Sequence, residues 1–480
     1  MNFKRAILIV IIILVLLAFL AERVGIIPGG SEELPAASAE SFEPGDVTGD
    51  GKVDVRDVVL TVQHALQLRE LSGEALESAD FNGDGVVDVR DAVLIMRHSL
   101  GLSADTPDSF RLGSEVLMES KRELVEGKRV GLVTNQSGVD SRGRSTMELL
   151  WEANEIELTA LYAPEHGLDG KAAAGEYVES YEHEKYEIPV YSLYGETRMP
   201  TEEMLSDIDL LLYDIQDIGA RSYTYISTLN YCMEAAEKSD LPVVVLDRPN
   251  PLGGVIVEGP VMEERFISFV GIDILPKAHG MTVGELARYF NREIGVELTV
   301  IPMSGYDREM IFQDTGLSWV QTSPNIPDIE AVFGYMVCGL GEGTGVFQAD
   351  TFKWIGGKGL DEKEYAKTLN AAGLEGIEFI PERRDEAGGV RLKITDFHRF
   401  NPAEAGIYAL SYAFKLGDFV VPESNDTIVM FDKIMGTDKM GQYLKEELDP
   451  EEIMERFAPG LEEFKEKRKQ YLLPEYDPKD

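Results

Sequence analysis

Cysteine is nearly absent from this chain. Two residues in 480, Cys232 and Cys338, exclude a disulfide-stapled scaffold and a cysteine-based zinc site. They are expected as buried free thiols, with one bridge as the alternative in an oxidising compartment. Histidine is scarce too: there are six, and none form the His-x-x-x-His spacing of a helical zinc site. Basic residues are in deficit, with 45 Lys plus Arg against 86 Asp plus Glu and a net charge of -41. Such a chain repels phosphate backbones, which argues against nucleic acid as a partner. No Gly-x-Gly-x-x-Gly follows the first predicted strand and no Gly-Lys-Ser/Thr phosphate loop occurs. Both absences argue against dinucleotide and nucleotide chemistry, and no cofactor is expected for catalysis.

What is present divides the chain. Lys4 and Arg5 precede an apolar run over residues 6–21, closed by Glu22 and Arg23. This pattern predicts an export signal or an N-terminal membrane anchor within residues 1–27, with the remainder outside. The expected location is extracellular or at the cell surface, with membrane contact only through this segment. Residues 28–44 are rich in Pro, Gly, Ser, Ala and Glu and read as a solvated linker.

An internal repeat follows. Asp46, Thr48, Asp50, Lys52, Asp54 and Asp57 fall at positions one, three, five, seven, nine and twelve of a loop. Asp80, Asn82, Asp84, Val86, Asp88 and Asp91 fall at the same positions of a second copy. Lys52 and Val86 would contribute backbone carbonyls, and Gly51 and Gly85 occupy the sharp turn at position six. The spacing wraps oxygen ligands around a Ca²⁺ ion, so two calcium sites are expected. Position twelve is Asp where Glu is usual, and each copy continues into an amphipathic helix. Residues 45–103 closely resemble a type I dockerin, which implies a cohesin-bearing partner. Val58, Leu60, Val62, Val93, Ile95 and Met96 are candidates for the module's own core or for docking.

After a linker at 104–111 the pattern alternates. Strands are predicted at 129–134, 157–162, 188–193, 209–213 and 241–246, and helices at 145–153, 201–206 and 223–237. Near-continuous apolar strands separated by helices predict a parallel sheet covered on both faces, an α/β fold. Ligands bind such sheets beyond the strands' carboxyl ends. Those ends carry Asn135, Glu165 with His166, Gln216 with Asp217, and Asp247 with Arg248. Residues 255–260 are strand-like, and residues 279–293 open a helix with a Thr282/Glu285 capping box. Residues 112–254 are expected as a Rossmann-like catalytic domain and 255–480 as a second, smaller α/β domain.

Glu165 stands at the end of an apolar strand, a setting suited to a general acid. Glycoside hydrolysis needs such an acid near a second carboxylate or nucleophile. Asp217, Glu258 and Glu342 are candidates. Arg221, Tyr223 and Arg248 suit a carboxylate or sugar hydroxyls, with structural pairing of the arginines as the alternative. A metal held by His166, Asp169 and His279 is the competing chemistry.

Taken together, Pro164-Glu165-His166-Gly167, Asp214-Ile215-Gln216-Asp217-Ile218-Gly219-Ala220-Arg221, Tyr223-Thr224-Tyr225-Ile226, Asp247-Arg248-Pro249-Asn250-Pro251, His279-Gly280-Met281-Thr282 and Ser323-Pro324-Asn325 resemble the NamZ-type family of exo-acting β-N-acetylmuramidases. The resemblance spans about residues 112–471. It implies an active cleft between a Rossmann-like and a smaller α/β domain. It also implies hydrolysis of terminal N-acetylmuramic acid from peptidoglycan fragments, with Glu165 as the catalytic glutamate. It brings His166 and Asp217 into the catalytic group. Asn135, Gln216, Arg221, Tyr223, Arg248, His279 and Glu342 become substrate-binding candidates. Two stretches depart from the family: Leu168-Asp169 after Glu-His-Gly, and residues 345–351 after Glu342-Gly343-Thr344. The second departure motivates an alternative, a non-catalytic glycan-binding or scaffold subunit of a cohesin–dockerin assembly.

Overall fold

A computed structural model describes residues 45–65, 68–81, 87, 91, 92, 95, 96, 99 and 110–477. The N-terminal apolar run, both predicted linkers up to residue 109, and Asn82, Asp84, Val86 and Asp88 of the second loop lie outside the described residues. Among the described residues no helix is long and apolar enough to cross a membrane. The chain divides into two compact units, residues 1–110 and 111–480.

In the first unit, Gly51 takes φ 78°, a left-handed turn at loop position six that favours glycine. The loop leads into a helix at Val55–Ala65, and a second helix spans Glu74–Ala79. Val58, Leu60, Val62 and Ile95 are buried with Val47, Leu71 and Ala79, and Met96 packs at the edge. These four side chains therefore build the module's small core. Val93 lies outside the described residues.

The second unit holds a seven-stranded sheet: β1 (Arg129–Thr134), β2 (Glu157–Ala163), β3 (Tyr181–Glu182), β4 (Pro189–Ser192), β5 (Leu210–Asp214), β6 (Val243–Leu246) and β7 (Leu298–Ile301). Their order is β3-β4-β2-β1-β5-β6-β7, parallel except for the short β3. β5 and β6 are wholly buried, as expected of apolar runs covered on both faces. The chain builds outward from β1 through β2 and β4, then returns to β5 on the other side. The direction of winding reverses at β1, so the crevice at its carboxyl end is the expected ligand site.

Helix ends follow local chemistry. Ser145 Oγ accepts from Glu148 N at 3.1 Å ahead of the helix Thr146–Glu152. Thr282 and Glu285 form the reciprocal capping box of the helix Val283–Ile294.

Two expectations are corrected. The sheet does not end at Gly254, because the helix Val283–Ile294 returns the chain to β7 beside β6. A division between residues 254 and 255 would cut this sheet. Residues 255–260 form no strand; Glu258 makes a single bridge to Ala278, because Gly254 and Gly259-Pro260 bracket the segment.

A second, antiparallel sheet comprises β8 (Val346–Ala349), β9 (Trp354–Lys358), β10 (Ile377–Arg384) and β11 (Ala387–Ile394), in the order β10-β11-β9-β8. One continuous apolar core joins the two sheets and their helices, from Val133 to Phe464. Cys232 and Cys338 are buried free thiols.

The carboxyl-terminal segment fastens onto the first sheet. Tyr476 donates its hydroxyl hydrogen to Asp247 Oδ2 at 2.7 Å and accepts from Met303 N at 2.7 Å. Asp247 also accepts from Gly284 N and Thr282 Oγ1, each at 2.7 Å. Tyr476→Phe removes one donor to this buried carboxylate and strands the Met303 amide. The expected cost is about 1–3 kcal/mol in urea unfolding, since a buried group without its partner keeps its desolvation penalty.

Candidate active site

Glu165 leaves β2 in a tight turn. His166 and Gly167 take φ 72° and 77°, and Gly167 N donates to Pro164 O at 3.0 Å. A left-handed histidine is unusual and marks a backbone held in place by its surroundings. The Glu165 carboxylate is half-buried and held at both oxygens. Thr224 Oγ1 donates to Oε2 at 2.6 Å and Gly175 N to Oε1 at 2.9 Å. Burial, followed by the Glu165 charge, raises the Tyr194 phenol above its usual range.

The imidazole of His166 is buried, with Nδ1 at 2.8 Å from Ala172 O. A carbonyl can only accept, so Nδ1 carries the hydrogen and Nε2 is left as the base in the neutral ring. His279 has the opposite arrangement. Its Nδ1 accepts from Met281 N at 3.2 Å, so Nε2 carries the hydrogen, 3.6 Å from Asp217 Oδ2. That separation is too long for a direct hydrogen bond and suits a bridging group.

Asp217 and Asn135 stand at the ends of the adjacent strands β5 and β1. Asp217 Oδ2 accepts from Gly219 N at 2.7 Å, and Gly219 needs its φ of 80° to make that turn. Asn135 Oδ1 accepts from Ser137 N at 2.9 Å and Ser137 Oγ at 2.6 Å. Gln216 Nε2 donates to Asp217 O and Pro249 O, both at 2.8 Å. Among the buried polar atoms without a protein partner are Asn135 Nδ2, Asp217 Oδ1 and His279 Nε2. Buried polar atoms are almost always satisfied, so this group is a ready receptor for hydroxyl or amide groups.

Tyr335 lies within the fields of both carboxylates. Burial raises its phenol to about 12, and the charges of Glu165 and Asp217 both act on it. Ser222 Oγ lies 3.0 Å from its hydroxyl and accepts from the buried Lys277 Nζ at 2.7 Å. The loop at residues 321–327 closes another side. Gln136 Nε2 donates to Gln321 O at 2.8 Å and Thr322 O at 3.1 Å, and Tyr223 donates to Thr322 Oγ1 at 2.9 Å. Tyr223 thus holds this loop.

Burial pushes the Lys277 ammonium down to about 7, with the Arg221 guanidinium adding to the effect. The unfolded chain would hold this proton up to about 10.4. Stability therefore rises with pH between about 7 and 10, and the cost of burying the charge is fully present below 7. Lys277→Met is expected to stabilise the protein by about 1–3 kcal/mol at pH 6, with the gain shrinking toward pH 10. Urea denaturation across that range measures it.

Three predicted ligands lie elsewhere. Arg221 is fully buried, and its guanidinium donates to Pro260 O, Leu275 O and Ile434 O at 2.7–2.8 Å. It serves carbonyls left without partners where loops meet. Arg248 is buried against Asp214, with Nε at 2.5 Å and Nη2 at 2.9 Å, and also donates to Val139 O. Both guanidinium groups are held in the interior, although Arg221 Nε keeps no partner there. Glu342 lies on an exposed turn between the helix Ile329–Cys338 and β8. Among the described residues His166, Asp169 and His279 do not form a metal-ligating group. Asp169 instead pairs with Lys171 on the surface at 2.9 Å. Sequence reasoning passed over Thr224, although it stands inside the quoted Tyr-Thr-Tyr motif. It also passed over Tyr194 and Tyr335, whose signal was only a tyrosine near a strand end or in a helix.

In the first predicted calcium loop, Asp46 and Asp57 are buried and oriented by loop donors. Asp46 accepts from Gly51 N at 2.7 Å and Asp50 N at 3.1 Å, and Asp57 from Thr48 N at 2.8 Å and Asp54 N at 2.7 Å. Burial and then, more weakly, the Asp46 charge raise the Asp57 carboxyl above its usual range. The two buried carboxylates are oxygen donors of the kind a hard cation takes, but among the described residues no three acidic side chains converge on one point. Arg56 pairs with Asp50 and Asp54 at 2.5–2.6 Å.

Comparison with known proteins agrees with this architecture. The model of the N-terminal domain of the exo-β-N-acetylmuramidase NamZ matches residues 130–330, and that of its C-terminal domain matches residues 333–473. The type I dockerin model matches residues 44–99. The peptidoglycan β-N-acetylmuramidase NamZ of Bacillus subtilis (strain 168) is 40% identical over 378 residues, covering 75% of this chain and 90% of its own. Two DUF1343 family proteins from Bacteroides fragilis NCTC 9343 share the fold. One has a TM-score of 0.68 and 35% identity, over 76% of this chain and 99% of its own. The other has a TM-score of 0.58 and 26% identity, over 77% and 99%. With its strands, its switch-point crevice and its ordered motifs all in that pattern, the chain belongs to the NamZ family of exo-β-N-acetylmuramidases, glycoside hydrolases, and carries a type I dockerin domain ahead of it.

Proposed function

We propose that this protein is an exported enzyme that removes terminal N-acetylmuramic acid, or a closely related amino sugar, from peptidoglycan fragments. Glu165 is its general acid/base. The observation that carries the reading is the pair of donors on Glu165, Thr224 and Gly175, which fix the carboxyl group at the mouth of the switch-point crevice. In the neutral form Glu165 gives its proton to the leaving glycosidic oxygen. The resulting carboxylate takes a proton from the water that completes hydrolysis.

Asp217 is the second acidic group, its free Oδ1 facing the positive charge that develops on the sugar ring. His279 Nε2–H and Asn135 Nδ2 hold sugar hydroxyl or acetamido oxygens. His166 Nε2 accepts from a substrate hydroxyl. Gln216 and Tyr223 position Asp217 and the Thr322 loop. A chromogenic β-N-acetylmuraminide tests the activity: wild-type enzyme is expected to release the chromophore, and a wholly inactive enzyme would contradict the reading.

The dockerin domain takes two Ca²⁺ ions, one per loop, and attaches the enzyme to a cohesin-bearing protein outside the cell or at its surface. Asp46, Thr48, Asp50, Lys52, Asp54 and Asp57 hold the first ion. Asp80, Asn82, Asp84, Val86, Asp88 and Asp91 hold the second. Because metal binding and folding are coupled in so small a module, Ca²⁺ is expected to raise its melting transition. Calorimetry of the full chain with Ca²⁺ and with a chelator measures this; superimposable traces would remove the calcium assignment.

A further inference from the structure

With Arg221 and Arg248 both committed to the protein interior, a guanidinium for an acidic sugar has to come from elsewhere around Glu165. Arg198 is exposed, and among the described residues no carboxylate pairs with it. It is nevertheless held. Its Cζ lies 4.6 Å from the centroid of the Tyr194 ring and 4.3 Å from that of Phe269. Those rings lie 5.9 Å apart at 46°, and Tyr231 supports Phe269 at 5.7 Å. Aromatic faces hold a guanidinium by cation–π attraction while leaving its in-plane N–H groups available.

The support also fixes where this charge sits. Leu193 N donates to Ala163 O at 2.8 Å, so the chain beyond β4 leaves the sheet beside the turn that carries Glu165. Tyr194, the next residue, lies near enough to Glu165 for that charge to act on its phenol. Arg198 is thus one aromatic ring away from the proposed acid/base, on the side of the cleft opposite Asp217 in strand order. N-acetylmuramic acid differs from N-acetylglucosamine by the lactyl ether on O3, which adds one carboxylate. A planar guanidinium meets a carboxylate with two parallel hydrogen bonds.

We propose that Arg198, propped on Tyr194 and Phe269, is the specificity-determining residue that binds the free lactyl carboxylate of the terminal sugar. The inference rests on the muramidase reading of Glu165. It implies that a lactyl group already amidated, as when it carries a peptide, is a poorer substrate than the free acid.

The test uses the full-length enzyme and three 4-nitrophenyl β-glycosides: N-acetylmuramic acid, its lactyl methylamide, and N-acetylglucosamine. Wild type is expected to prefer the acid. Arg198→Gln is expected to lower kcat/KM for the acid by about 10- to 100-fold, mainly through KM, the range for a lost charge-assisted hydrogen bond. Turnover of the amide and of the glucosaminide should stay within about twofold, so that the acid-to-amide preference collapses. Arg198→Lys should retain part of it, because it keeps the charge but not the fork. An equal loss on all three glycosides would reassign Arg198 to supporting Tyr194 and overturn the inference. So would an unchanged acid-to-amide ratio, with the muramidase reading left standing. Wild-type enzyme idle on all three would overturn that reading and this inference with it.

Discussion

Glu165→Gln is expected to lower kcat on a β-N-acetylmuraminide by about 10²- to 10⁴-fold, the range for removing a general acid/base. The substitution is nearly isosteric, and the carboxamide oxygen can still accept from Thr224 Oγ1 or Gly175 N. Melting temperature and KM should therefore move little, while the proton is no longer available for the leaving oxygen. Thr224→Val is the companion. It removes one donor from the carboxylate without touching the acid itself, and should cost far less, about tenfold. Steady-state kinetics with parallel thermal unfolding measures both. A Glu165→Gln enzyme with unimpaired kcat would transfer the acid/base role to another residue.

The largest structural effect is expected at Asp214, not in the cleft itself. Asp214 receives two hydrogen bonds from Arg248 and a short one from Thr146 Oγ1, all in the interior. Asp214→Ala leaves the Arg248 guanidinium buried with Val139 O as its remaining acceptor. Breaking a buried ion pair from one side costs about 3–5 kcal/mol, because the surviving charge keeps its desolvation penalty. Urea unfolding should report a loss of that size. Asp214→Ala with Arg248→Met should recover part of it, since the unpaired charge is then gone. A loss below about 1 kcal/mol in the single variant would mean that Arg248 finds another partner. In that case Arg248 could swing toward the cleft after all.

The parallel sheet was legible because its strands are short apolar runs ended by polar residues. β1 falls at the predicted residues, and β2, β4, β5 and β6 within two. β7 was missed: Leu298–Ile301 is a four-residue strand on the edge of the sheet, with three of its residues half-buried. Its apolar pattern is too brief to separate from a loop. That omission misplaced the division at Gly254. The antiparallel sheet was not drawn in detail either, because β10 carries Glu378, Glu382, Arg383 and Arg384, and β11 carries Arg391 and Lys393, which read as surface.

In the site, the strand-end residues Asn135, Glu165 and Asp217 were visible because topology alone brings such positions to one edge. The arginines were open to two readings, ligand binding and structural pairing. A sequence cannot tell a guanidinium facing ligand from one satisfying buried carbonyls, and Arg221 does the latter with partners as distant as Ile434. Arg198 was passed over for the converse reason. Its holding rings come from separate loops, at Tyr194 and Phe269, and only the fold brings them together.

The most direct test of the account is mass detection of the sugar released from peptide-free peptidoglycan disaccharides and longer glycan fragments with N-acetylmuramic acid at the non-reducing end. The account predicts that the wild-type chain liberates N-acetylmuramic acid one residue at a time, and that the Glu165→Gln chain liberates essentially none. Fragments that bind but survive intact with the wild-type enzyme would contradict it, and would favour a glycan-binding subunit that has kept the fold without the chemistry.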